Sequence, residues 1–87
     1  PRKGFTSITI PQALYDMLVN LCDRYDLPMG KCILFLYELY RSVVHDPGMK
    51  GYYEKKIERI LRRIDKKYKQ LITESKQALE EEMEEEE

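Results

Sequence analysis

Few side chains in this sequence have the type and spacing that covalent chemistry needs. His45 is the only histidine, and it stands beside Asp46 at a helix end with no serine, cysteine or second carboxylate spaced to complete a nucleophile and base. Cys22 and Cys32 lack both CxxC spacing and partner histidines, so no zinc site can be assembled. No glycine-rich phosphate loop is present. The expectation is a protein that is not an enzyme and carries no metal and no cofactor. Both cysteines lie in apolar, helix-patterned stretches and read as buried, reduced thiols, with a disulfide as the alternative in a protein of hyperthermophilic source.

Charge is the chemistry that remains. From Lys55 to Lys69 eight basic residues (Lys55, Lys56, Arg59, Arg62, Arg63, Lys66, Lys67, Lys69) stand against Glu58 and Asp65, a net of 8 − 2 = +6. From Glu74 to Glu87 eight Glu stand against Lys76, a net of 1 − 8 = −7. The two blocks nearly cancel within a chain of 87 residues and net charge −1. A basic run reads as a solvated helix face or as a surface for a polyanion, and an acidic terminus as a solubilising tail. The length allows one small domain, and 43% apolar residues exclude a chain disordered throughout.

The elements that must position these charges follow from periodicity. Phe5 to Ile10 is rich in β-branched and aromatic residues and ends at Pro11, which predicts one short strand with Thr6, Ile8 and Ile10 on one face and Phe5, Ser7 and Thr9 on the other. Leu14, Leu18, Leu21, Cys22 and Tyr25 form one helical stripe, a first helix over about 11–25. The stretch from Asp26 to Gly30 breaks it, because Asp tolerates left-handed backbone and Pro28 disfavours helix in the residue before it. A second helix over about 29–44 is apolar nearly all round, and so must be buried on more than one side. After a breaker-rich linker, Ile57, Leu61, Ile64, Tyr68, Leu71, Ser75 and Ala78 alternate by four and three as the seam of a long third helix. The seam weakens after Leu71, predicting an ordered helix over about 52–79 and a frayed 80–87. The division expected is 1–45, a linker 46–51, and a charged helix with acidic tail over 52–87.

A lone strand finds no partner in this chain, so its partner must come from another. The simplest closed solution is a two-fold homodimer with the strands paired antiparallel and Thr6, Ile8, Ile10, Leu14, Leu18, Leu21, Ile33, Leu36, Tyr37 and Tyr40 in the shared core. The tyrosines fall mostly at apolar helical positions and read as packing residues.

These residues resemble the ribbon-helix-helix DNA-binding proteins of the MetJ, Arc and CopG type. The match runs from about Thr6 to Val44 through "TSITIP", "QALYDMLVNLCDRY", "DLPMG" and "KCILFLYELYRSVV", and leaves the third helix outside it. The resemblance implies a mainly α ribbon-helix-helix homodimer with one β-strand per chain. It implies that Phe5, Ser7 and Thr9 contact base edges of double-stranded DNA, with Arg2 and Lys3 on phosphate. It also implies a phosphate held at the start of the second helix by Met29, Gly30 and Lys31, where Pro28 replaces the usual capping hydroxyl.

The expected function is a homodimeric, sequence-specific transcriptional regulator. The alternative is an antitoxin-like or other interaction protein whose third helix binds a protein partner, and higher oligomers through that helix fit the seam. Absence of a long apolar run and of a signal-like start predicts no membrane segment and a cytoplasmic location. Abundant Glu, Lys and Arg with one Asn and three Gln lean toward a thermophilic source.

Overall fold

The three helical periodicities become three α-helices in the computed structural model, which describes residues 2–86: α1 (Gln12–Arg24), α2 (Met29–Val44) and α3 (Lys50–Glu86). Proline sets the entry to the first two. Pro11 and Pro28 occupy the N-cap positions of α1 and α2, and neither helix has a side-chain cap from its own first residues. A proline there lacks the amide that would otherwise go unpaired and holds φ near the value the helix needs.

The stop between α1 and α2 is a Schellman turn. Asp26 sits in left-handed backbone at φ 53°, the Leu27 amide donates to the Cys22 carbonyl at 2.9 Å, and the Asp26 amide donates to the Asp23 carbonyl at 3.2 Å. Short polar side chains tolerate this conformation better than branched ones, which explains Asp at that position. The turn between α2 and α3 is built on Asp46. Its carboxylate accepts from the Gly48 amide at 3.0 Å and its carbonyl accepts from the Met49 amide at 3.1 Å.

Two expectations fail here. Among the described residues there is no β-strand: residues 5–10 run as irregular backbone, so the ribbon-helix-helix resemblance and the fold class drawn from it are overturned. The fold is mainly α. A strand exists only through ladder hydrogen bonds, and this chain contains no second β-rich run to supply them. Instead the Phe5 amide donates to the Arg2 carbonyl at 2.9 Å in a turn that carries Gly4 at φ 86°. Thr6 and Ile8, expected in a shared core, are exposed, Ile8 by 73%. The second failure is the thiols. Cys22 and Cys32 are joined in a disulfide across α1 and α2, their Cα atoms 5.4 Å apart. Their ten-residue separation brings them face to face because the Schellman turn reverses the chain between them.

The acidic end also departs from expectation. α3 stays helical through Glu86 rather than fraying from Glu80, consistent with the high helix propensity of Glu. Glu87, the last of the expected frayed residues, lies outside the described ones.

Little of the chain is buried. Only Cys22, Cys32 and Leu71 are buried among the described residues. Leu14, Leu18, Leu21, Leu36 and Ile10 are half-buried. Tyr25 and Phe35 stack obliquely across α1 and α2, with ring centroids 5.2 Å apart. α3 rests on the pair at two places: Tyr53 and Ile57 are half-buried near its start, and Leu71, Ile72 and Ser75 are buried or half-buried further along. Between them every residue from Glu58 to Gln70 is exposed. At 1.5 Å per residue this is a free span of about 20 Å.

Ser75 fastens the far support. The Ala13 amide, in the first turn of α1, donates to the Ser75 hydroxyl at 2.9 Å. That hydroxyl in turn donates to the Leu71 carbonyl at 2.8 Å. The amide that Pro11 has no side chain to cap is thus capped from α3, 62 residues away in sequence.

Candidate functional site

Three regions were expected to carry function, and the structure treats them differently. The N-terminal segment is exposed from Arg2 to Thr9, with Phe5 69% exposed. Arg2, Lys3, Phe5, Ser7 and Thr9 therefore meet solvent, but on irregular backbone with no alternating faces to sort them. Thr9 alone of these is drawn into a groove. It shares an open cleft of about 710 Å³ with Ile10, Pro11 and Asp16 on one side and Tyr68, Ile72, Ser75, Leu79 and Glu82 of α3 on the other. Asp16 and Glu82 stand in that cleft against Lys76, which leaves it net negative toward an approaching phosphate.

The start of α2 presents its first amides with no side-chain cap. Gly30 and Lys31 are exposed and Met29 is half-buried. A Cβ at Gly30 would meet nothing within 4 Å, so the turn itself does not require glycine there.

The third region is α3, where helix geometry sorts the charges. At 3.6 residues per turn, the eight basic residues of the Lys55–Lys69 block fall within an arc of about 160°, and no acidic or apolar residue of that block enters it. All eight are exposed. Lys55, Arg59, Arg63 and Lys66 lie nearest the centre of the arc. Lys56 stands 5.7 Å from the Tyr52 ring centroid, a cation–π contact within its own helix. The opposite side carries Ile57, Ile60, Leu61, Ile64 and Tyr68, and Glu58 and Asp65 occupy the border between the two. Of the expected seam, Leu71 is 5% exposed and Ile57 is half-buried, while Leu61, Ile64 and Tyr68 are uncovered.

A matching uncovered stripe runs along α2. Ile33, Tyr37 and Tyr40, spaced by four and three, are 47%, 57% and 55% exposed. These were expected in a dimer core, and within a single chain nothing covers them.

Compared with known proteins, the chain matches no family model, no curated protein and no solved structure. Among the described residues no helix is long and apolar enough to cross a membrane, and no group of three or more His, Cys, Asp or Glu side chains is placed to hold a metal ion.

The sequence reading ranked the disulfide below free thiols and missed the Ser75 cap and the groove. A signal for the first was present in two cysteines, each inside a helical stripe and placed either side of a turn. The signal for the second was a lone hydroxyl interrupting an apolar seam.

Proposed function

We propose that this protein is a DNA-binding regulator that works as a homodimer. The observation that carries the reading is uncovered surface. The chain exposes 8215 Å², whereas a compact monomer of 10.5 kDa exposes about 5,400 Å². The excess is about 2,800 Å² per chain. Even with half of it assigned to the free span of α3, two chains would bury about 2,800 Å² in total, the range of obligate dimers. The apolar stripes on α2 and α3 supply that surface. Exposed basic residues at Arg2, Lys3, Lys31 and along α3 supply attraction for phosphate.

Light scattering over a concentration series, with titration of random and genomic DNA duplexes, tests both halves. A dimer at micromolar concentration with salt-dependent duplex binding is expected. A folded monomer at that concentration, or no duplex binding at low salt, refutes the reading.

A second reading has its own support. Ile60, Leu61, Ile64 and Tyr68 form an exposed apolar side along α3, which suits an interaction protein whose third helix is gripped by a different chain. Co-purification of a stoichiometric second protein, lost on Leu61→Glu, distinguishes it.

A further inference from the structure

The basic arc of α3 goes beyond the contacts expected of the N-terminal segment and the start of α2. We infer that this arc is the main phosphate-binding surface of the protein, with the span from Glu58 to Gln70 lying in the major groove of duplex DNA. The inference rests on the DNA-binding reading above and assigns it a site.

Three observations carry it. First, the arc is continuous: from Lys55 to Lys69 only Lys and Arg occupy its roughly 160°, over a length of about 21 Å. Mixed charge would be the ordinary make-up of a solvated helix face, with acidic residues placed to pair along it. Here Glu58 and Asp65 are kept to the border. Second, the arc is turned outward: Tyr53, Ile57, Leu71, Ile72 and Ser75, which rest on the α1–α2 pair, project from the opposite side of α3, and every residue from Glu58 to Gln70 is exposed. A groove about 12 Å wide admits a helix that presents one uncovered side and is backed only on the other. Third, the arc is wide enough to touch both groove walls. Lys56 and Lys67 lean to one edge, Arg62 and Lys69 to the other, and Arg59 and Arg63 face the floor, where a guanidinium can bridge the two acceptors of guanine.

The chemistry points away from two other polyanions. A helix that lies on an anionic membrane puts its apolar side in the lipid. The apolar side of α3 is turned to the α1–α2 pair, where Ile57 is half-buried and Leu71 buried, so it can enter lipid only if α3 lets go of the pair. Duplex RNA has a major groove too narrow and deep for a helix to enter. Further along α3 the same arc turns acidic, since Glu80, Glu81, Glu84 and Glu85 continue it, and this fixes where the contact with DNA must end.

The test uses the full chain and a random-sequence DNA duplex, titrated between about 50 and about 200 mM salt. The variant Lys55→Gln/Arg59→Gln/Arg62→Gln/Lys66→Gln keeps helix-forming side chains, and circular dichroism verifies the fold. The inference expects the log–log salt slope to become shallower by about 3.6 for each chain of the dimer in contact with the duplex, and affinity near 0.1 M salt to fall at least about a thousandfold. The comparison variant, Arg2→Gln/Lys3→Gln/Lys31→Gln, is expected to lose less than tenfold. Loss confined to the comparison variant overturns the α3 assignment and leaves DNA binding standing. No duplex binding by the unaltered chain overturns both. Tighter binding of the unaltered chain to phosphatidylserine vesicles or to duplex RNA than to DNA also overturns the assignment. A folded α3 variant with unchanged slope does the same.

Discussion

Replacing Ser75 with Ala removes one oxygen and tests how α1 is held to α3. The Ala13 amide would lose its only cap, because Pro11 offers no side-chain acceptor and the hydroxyl at 2.9 Å is its partner. Losing a helix N-cap costs about 1–2 kcal/mol. Alanine returns about 0.5 kcal/mol through its better helix propensity, and the Leu71 carbonyl keeps its helical bond. The net expectation is a loss of about 0.5–1.5 kcal/mol, which for a domain of this size lowers Tm by about 3–10 °C. Thr73 provides the control: its hydroxyl donates to the Lys69 carbonyl at 3.0 Å, exposed and within its own helix. Thr73→Ala should be neutral or slightly stabilising. Thermal unfolding followed by circular dichroism at fixed protein concentration gives both values, and exchange of the Ala13 amide gives the local one. Ser75→Thr, which retains an acceptor, should recover part of the loss. If Ser75→Ala unfolds at or above the temperature of the unaltered chain, or tracks Thr73→Ala, the hydroxyl is not holding α1.

Other changes have distinct expected outcomes. Leu71→Ala, at the one buried apolar side chain of α3, should cost about 2–4 kcal/mol in denaturant titration, with a greater loss than Leu61→Ala at an exposed seam position. Reduction of Cys22–Cys32 by an excess of dithiol should lower the denaturation midpoint by the equivalent of about 3 kcal/mol, the loop-closure entropy of so short a loop; an unchanged midpoint would show the α1–α2 hairpin held by packing alone. Ile33→Glu places charge in the uncovered α2 stripe and should convert dimer to monomer in light scattering while Leu39→Glu, off that stripe, leaves the dimer intact.

The helices were legible because their signals are local. Met29 to Val44 is bounded by a proline before and a breaker-rich turn after, and the structure places α2 over those same residues. Asp26 was readable as a left-handed stop from its residue type and its place before Leu27-Pro28. Residues 5–10 misled because β-branched composition records a preference for extended backbone, while a strand also needs a partner that composition cannot show. The cysteines misled for a related reason: a pattern of stripes places each residue on a face but does not tell which faces meet. The Lys55 block was legible as charge, yet its division into a wholly basic side and an apolar side emerges only when the whole stretch is known to be one uninterrupted helix. Ser75 was legible as a hydroxyl interrupting an apolar seam, but its partner was not, since Ala13 lies 62 positions away and nothing in its residue type marks it.

The sequence distances of the two ties set an order in time. Cys22 and Cys32 are ten residues apart and Ala13 and Ser75 sixty-two, so closing the second loop costs about 1.6 kcal/mol more in chain entropy than the first. α1 and α2 can meet as soon as the turn at Asp26 forms. α3 must grow through its unsupported stretch before Leu71 and Ser75 exist to find α1, and until then the start of α1 has an amide without a partner. Chain entropy therefore favours closing the α1–α2 hairpin before α3 docks on it. By the same count the contact of Ser75 with α1 is the one with most chain entropy to gain on opening, while the disulfide keeps Cys22 and Cys32 together.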